Sequence, residues 1–354
     1  MIGLWDTTGG AVVKALAAER RSAGGVTSGM ALTLVAVVDE KAVREAEAAA
    51  TIAASMHPCR LLIVVRVDET QQRSRLDAEI VVGGRLGPCE AVVMRMHGRL
   101  ALHAESVAIP LMAPDVPVVT WWHDAPPERI AYDPLGVVAD RRITDCARAA
   151  DPMGALRQRA EDYAPGDTDL TWTRITPWRT LVASAFDANG GTVTGATITA
   201  PENDPSVALM SGWLAARLNV TPELQAPAKR GGGLHAIRLA LGDGGTLEIV
   251  RDNGTVRLSR TGLPDRTLPL GNRPLGEELA EELRRLDADQ PYSAALAATT
   301  GRSGLDQQAV KRVHIWKDPA AAEYPPAANT PEGATPDQQA TAAAVEATTT
   351  EAVQ

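Results

Sequence analysis

ALTLVAVV (Ala31–Val38) and LLIVVRV (Leu61–Val67) are the two stretches whose reading decides the fold. Each is a near-continuous run of apolar, largely branched residues, without the alternation of a strand that has one wet face. Each therefore reads as a strand covered on both sides. Between them Val43, Ala46, Ala50 and Ala53 recur at helical spacing. Asp39 is placed to cap that helix and Pro58 to stop it. Strand, helix and strand in this order make a βαβ unit, and hence a parallel sheet.

Outward from this unit, Leu76–Val82 alternates apolar and polar residues. It turns through GGRLGP into Glu90–Met96, a hairpin or edge pair. A helix over about Arg99–Ile109 leads to the strand Val116–Trp122, and Leu135–Ala139 reads as a further short strand. Residues 1–163 are thus expected to form an α/β domain with a mixed, mostly parallel sheet and flanking helices. Residues 164–190 are read as an inter-domain segment containing DLTWTRITPWRTLVASAFD. In it Thr176 caps a helix, Pro177 takes the first helical position, and Trp178, Leu181, Val182 and Phe186 form the apolar face. Residues 191–317 read as a smaller α+β domain. Strands are expected at 192–199, His235–Leu241, Thr246–Arg251 and Thr255–Arg260, and helices at Ser206–Leu218, Leu275–Leu286 and near Tyr292–Ala298. GDGG and DNG between the later strands are hairpin turns, so this sheet is an antiparallel meander. Lys311–Trp316 reads as a closing strand.

The formal charge of −9 is unevenly spread. Six of the 44 acidic residues lie from Asp318 onward, where Lys and Arg are absent. Residues 1–317 therefore hold 38 acidic against 35 basic side chains, a balance of −3. That balance offers no basic stripe for nucleic acid. Residues 318–354, rich in Ala, Thr, Pro, Gln and Glu, read as a disordered tail. No window is apolar enough for a membrane span, and MIGLWDTTGG lacks the pattern of a secretory signal. Cys59, Cys89 and Cys146 are odd in number and scattered, which argues against a disulfide framework or a Cys-based zinc site. A cytoplasmic location is expected.

Searches for reaction chemistry return little. There is no phosphate loop and no G-x-G-x-x-G between a strand and a helix. Gly9-Gly10, Gly24-Gly25, Gly83-Gly84 and Gly231–Gly233 read as turns. Asp39-Glu40 after the first buried strand would repel a pyrophosphate, which argues against a nicotinamide cofactor. His97 and His103 are wrongly spaced for a helical metal pair, and G-x-S-x-G is missing. His57 and Cys59 read as a helix stop feeding a strand. His123-Asp124, at a strand end, is the best catalytic candidate, without a partner nucleophile. No catalytic, cofactor-binding or metal-binding residue is assigned.

Seven Trp against four Tyr and one Phe is an unusual aromatic balance. Trp121 and Trp122, adjacent on a strand, point to opposite faces. One enters the core, while the other meets a helix, a second domain or a partner. Trp172, Arg174, Trp178 and Arg179 combine the residue types that dominate interface hot spots, or else pack the two domains together.

With these segments in view, the chain resembles the OpcA family of glucose-6-phosphate dehydrogenase assembly proteins. The matching stretches are LWDTTGGAVVKALAAERR (4–21), HPCRLLIVV (57–65), PVVTWWHDAPP (117–127) and DLTWTRITPWR (169–179), with a weaker match in SGWLAARL (211–218). The resemblance extends over roughly residues 1–316. It implies a non-catalytic protein without a cofactor that assembles or allosterically activates glucose-6-phosphate dehydrogenase, at the first step of the oxidative pentose phosphate pathway. On this reading Trp121, Trp122, Trp172, Arg174, Trp178 and Arg179 are the contact candidates. In photosynthetic relatives the family is associated with thioredoxin control through cysteines, which the scattered cysteines here do not reproduce locally. Two other readings remain: an α/β enzyme using His123 and Asp124, and a sugar-phosphate sensor holding phosphate with Arg141 and Arg142.

Overall fold

The computed structural model describes residues 2–22, 29–68, 71–83, 89–187, 191–227, 232–271 and 273–309. The strand expected at Lys311–Trp316, the tail from 318 and the glycines 24, 25, 84 and 231 lie outside the described residues. The described residues all belong to one compact unit.

The first half runs β1 (Ile2–Leu4), α1 (Gly9–Ser22), β2 (Leu32–Asp39), α2 (Val43–Met56), β3 (Cys59–Asp68), β4 (Arg75–Val82) and β5 (Glu90–His97). It continues through α3 (Arg99–Leu102), α4 (Glu105–Ala108), β6 (Val118–Trp122), α5 (Pro134–Val137), β7 (Arg141–Thr144), α6 (Pro152–Glu161) and β8 (Asp167–Asp169). These strands make an eight-stranded sheet ordered β1-β4-β5-β3-β2-β6-β7-β8. From β5 to β8 every neighbouring pair is parallel, while β4 and β1 add an antiparallel edge. Numbered by appearance, the six parallel strands lie in the order 3-2-1-4-5-6, the doubly wound arrangement whose direction reverses between the first and fourth strands. Here that switch point falls between the carboxyl ends of β2 and β6.

The fully buried runs of β2 and β3 follow from this placement at the sheet centre. Leu34, Ala36, Leu61, Ile63 and Trp121 face α2 and a later helix, whereas Val35, Val37, Leu62, Val64 and Trp122 face α1, α3 and α4. The two adjacent indoles therefore enter two different cores, as their alternation on β6 requires.

Several local expectations are corrected. Leu135–Ala139 is not a strand: Asp133 caps α5 there, accepting a hydrogen bond from Leu135 N at 2.9 Å, and the strand is β7, just downstream. The single helix expected over Arg99–Ile109 is two short helices. Gly9-Gly10 opens α1 and is not a turn. The side chain of Asp39 caps nothing, and a 3₁₀ turn over Glu40–Ala42 leads into α2 instead. The sheet also takes β8 from beyond residue 163, inside the segment read as a linker.

The second half runs α7 (Leu170–Arg174), α8 (Thr176–Asp187), β9 (Val193–Thr199), α9 (Pro205–Leu218), β10 (Glu223–Gln225), β11 (Ala236–Leu241), β12 (Thr246–Asp252), β13 (Thr255–Arg260), β14 (Arg266–Pro269), α10 (Leu275–Leu283) and α11 (Gln290–Thr300). Its six-stranded sheet, ordered β10-β9-β11-β12-β13-β14, is antiparallel except at β10-β9. Asn253 and Gly254, both at positive φ, make the turn between β12 and β13 that the DNG motif predicts. One core joins this sheet to α6, α7, α8, α9 and α11. The other returns α10 to the first sheet, where Leu279, Ala280 and Leu283 pack with Ala46, Ala49 and Ala53 of α2. Gly276 is needed there, since a Cβ would stand 2.6 Å from Ile52 Cβ and 2.9 Å from the Ala49 carbonyl oxygen.

Candidate functional site

In a doubly wound sheet, ligands sit beyond the carboxyl ends of the strands at the switch point. In this chain that place is built from carboxylates. Asp39 N, at the end of β2, donates to Asp124 Oδ2 at 3.0 Å. His123, fully buried after β6, has Nδ1 3.1 Å from Asp124 Oδ2 and Nε2 3.5 Å from Glu45 Oε2, and its ring meets the edge of Trp121. Glu45 is held in turn by both terminal nitrogens of Arg148, at 2.9 and 3.1 Å, and that pairing keeps its carboxyl below the ordinary range. A cavity of about 450 Å³ opens beside them, lined by Asp39, Asp124, Glu128 and Asp145 against Lys41, Arg148 and Arg159. A dinucleotide needs free backbone N–H groups and a helix N-terminus facing its pyrophosphate. Here Asp39 N already serves Asp124, and the Asp39 and Asp124 carboxylates at the two strand ends disfavour a phosphate there. His123 is oriented by two acids, yet the thiol lining this cavity, Cys146, is pushed well above its usual range by burial and by Asp169. A thiol so placed is a poor nucleophile.

The contact candidates are distributed differently from the expectation. Trp121, Trp122, Trp172 and Trp178 are only 1–2% exposed, so these four indoles lie inside the fold and not on a surface patch. Their burial has a local cause. Asp169, at the start of α7, accepts hydrogen bonds from Thr171 N, Cys146 N and Thr144 Oγ1, which turns the chain inward. Trp172 Nε1 then donates to Asp289 Oδ2 at 2.9 Å, and its ring packs against Tyr292. Arg179 lies over that ring, 3.4 Å from the centroid, and burial lowers the pKa of its guanidinium to about 10.

Arg174 is the centre of the segment. It donates to both oxygens of Asp145, at 2.7 and 2.6 Å, and through Nε to Glu278 of α10 at 3.0 Å. Burial lowers the guanidinium's affinity for its proton, but the two carboxylates outweigh it and hold the pKa above its ordinary value. Arg174 and Arg179 remain partly exposed, while the indoles stand behind them.

Arg141 and Arg142, read from the sequence as a phosphate-holding pair, are both buried within β7. Arg141 pairs with Glu282 and Arg142 with Asp167, so neither is free to receive an anion. Sequence spacing gave no sign of these partners, one of which is 141 residues away.

Cys59 and Cys89 are likewise brought together. They precede Arg60 and Glu90, which face each other across β3 and β5, and Cys59 N donates to Cys89 Sγ at 3.4 Å. The scattered cysteines thus contain a spatial pair, although all three thiols are buried. Hydrogen bonding with Cys59 lowers the Cys89 thiol, whereas hydrogen bonding with Cys89 and burial push Cys59 up. Among the described residues no group of three or more His, Cys, Asp or Glu could hold a metal ion, and no helix is long and apolar enough to cross a membrane.

Trp5 follows the edge strand β1, stands beside Gly3 and is 64% exposed.

Comparison with known proteins follows the same two-part division. Residues 50–161 match a family model described as the glucose-6-phosphate dehydrogenase subunit N-terminal domain, and residues 165–296 match its C-terminal domain. A relative from Synechocystis sp. (strain ATCC 27184 / PCC 6803 / Kazusa), named "Putative OxPP cycle protein OpcA", is 30% identical over 187 residues, 49% of this chain and 39% of the relative. A relative of the same name from Synechococcus elongatus is 32% identical over 149 residues, 38% of this chain and 32% of its own length. The chain thus spans well under half the length of these curated relatives. Among solved structures, a dehydrogenase from Chromobacterium violaceum aligns at 12% identity and a TM-score of 0.39, over 78% of this chain and 94% of its own. Glucose-6-phosphate 1-dehydrogenase from Mycobacterium avium aligns at 10% identity and a TM-score of 0.40, over 80% and 94%. The matches to both domains, in order and meeting where the Trp/Arg segment begins, place the chain in the OpcA family of glucose-6-phosphate dehydrogenase subunits.

Proposed function

We propose that the chain is a non-catalytic, cytoplasmic subunit that binds glucose-6-phosphate dehydrogenase and raises its activity at the first step of the oxidative pentose phosphate pathway. The observation that carries this reading is the ordered match of both halves of the fold to the two domains of one dehydrogenase subunit. The carboxylate-lined switch point supports a partner role in preference to a cofactor-dependent reaction at that place.

Activation needs the partner's active form to be bound more tightly than its less active form. A 100-fold difference in affinity is worth about 2.7 kcal/mol of population shift. The contact surface is proposed to include the exposed side of α7 and α8, with Arg174 and Arg179 facing the partner. Trp172 and Trp178 act from behind as positioning residues, while Trp121 and Trp122, in the two cores of the first sheet, are not proposed to touch the partner. Co-elution with the cognate dehydrogenase on a sizing column tests this. The wild-type chain is expected to form a complex, and Arg179→Glu to weaken it at least tenfold while staying folded. Unchanged complex formation by folded Arg179→Glu would remove this patch. No complex with the wild-type chain would remove the proposal.

A further inference from the structure

A second cavity, of about 680 Å³, lies where the end of β7 meets the face of the second sheet. This volume is in the range of metabolite pockets and far larger than one inorganic phosphate. Four arginines line it, Arg148, Arg174, Arg251 and Arg273, against the carboxylates of Asp204 and Glu278. Three of the four are already engaged. Arg148 holds Glu45, Arg174 holds Asp145 and Glu278, and Arg273 faces Glu281 at 3.5 Å. Asp204 is engaged as well, accepting from Ser206 N at 2.8 Å as the cap of α9.

Arg251 is the exception. It alternates along β12 with Leu247 and Ile249, both buried, so it is a cation on the strand's apolar face. Among the described residues no carboxylate pairs with it, its guanidinium makes no hydrogen bond, and its Nε is buried. Burial alone acts on it, lowering its pKa. Its one aromatic neighbour, Trp178, is 5.6 Å away, near the outer limit of a cation–π contact. A half-buried guanidinium without a counter-charge, facing a cavity of mixed polar and apolar lining, has the chemistry of an anion anchor.

We infer that this cavity is a binding site for a small phosphate monoester, such as a hexose phosphate, with the phosphate held by Arg251. Ser206 and the backbone at Gly232, Gly233 and Gly271 line part of the remaining space, beside Leu234 and Leu270, and are available to the ester's hydroxyl groups. The site is distinct from Arg141 and Arg142, whose charges are consumed by Glu282 and Asp167. It does not depend on the proposed dehydrogenase contact, because binding is read on this chain alone.

Isothermal titration of the full chain tests the inference, with glucose 6-phosphate, inorganic phosphate and uncharged glucose as probes. Saturable binding of glucose 6-phosphate is expected, tighter than inorganic phosphate and with none for glucose. Arg251→Gln should weaken it at least tenfold. Ser206→Asp, which adds a carboxylate to the cavity in the first turn of α9 where it favours the helix, should do the same. Arg257→Gln, at an exposed position of β13 paired with Asp265, should leave binding unchanged. No saturable binding of glucose 6-phosphate by the wild-type chain would overturn the inference. So would equal affinity in the wild-type, Arg251→Gln and Ser206→Asp proteins. Inorganic phosphate or glucose bound as tightly as the ester would overturn the choice of a phosphate monoester.

Discussion

Replacing Arg174 with Ala removes the cation between Asp145 and Glu278, whose side chains are 1% and 8% exposed. Both carboxylates then stay in a desolvated place with no counter-charge and repel each other. Breaking a buried ion pair from one side costs about 3–5 kcal/mol, against about 0–1 for a surface pair. Arg174 is itself less than a third exposed, so the higher class applies. With typical stabilities of about 5–15 kcal/mol, the loss is a large share of the total, and at about 2 °C per kcal/mol it lowers Tm by about 6–10 °C. The deficit should also depend on pH. Burial raises both carboxyl groups in the folded state, and loss of Arg174 removes the main opposing influence. A carboxyl with a raised folded pKa costs no stability below its unfolded pKa, and the cost grows as pH rises through the folded pKa. Arg174→Ala should therefore be closest to wild type near pH 4 and furthest from it near pH 7.5. Urea denaturation followed by tryptophan fluorescence at both pH values measures this. Arg174→Met with Asp145→Asn and Glu278→Gln, which removes all three charges, should recover most of the loss. A deficit below about 1 kcal/mol at pH 7.5, or one that grows toward pH 4, would refute the assignment of a buried bridge.

Other consequences follow from the same geometry. Trp172→Ala should cost about 3–5 kcal/mol by chemical denaturation, as a core indole does, whereas a surface indole would cost little. The native chain should leave its thiols unreactive to Ellman's reagent until it unfolds, because Cys59, Cys89 and Cys146 are all buried; rapid modification of native Cys89 would show that its pocket opens. Fluorescence titration with NAD or NADP should give no saturable signal at micromolar concentrations, given the carboxylates at the switch point, and tight binding would contradict that reading.

The central strands were legible because burial on both faces leaves a continuous apolar signature, and β12 and β13 because DNG demands a tight turn. β7 and β8 were not, since RRIT and DTD look like solvated loops until Arg141, Arg142 and Asp167 are seen paired inside the protein. The 3-2-1-4-5-6 order was also hidden, because local sequence identifies strands but not their neighbours. The same holds for Cys59 and Cys89, which are distant in the chain and adjacent through parallel register. Of the contact candidates, the composition at 172–179 was legible but its direction was not. Trp and Arg together mark either an interface or a domain junction, and here the indoles face inward while Arg174 and Arg179 stay at the edge.

Activation is tested by initial rates of the cognate dehydrogenase across a range of glucose 6-phosphate, with and without a molar excess of this chain. A lower half-saturating concentration or a higher rate at subsaturating substrate is expected, saturating as the chain is added. Superimposable curves, from folded chain at concentrations up to tens of micromolar, would contradict it.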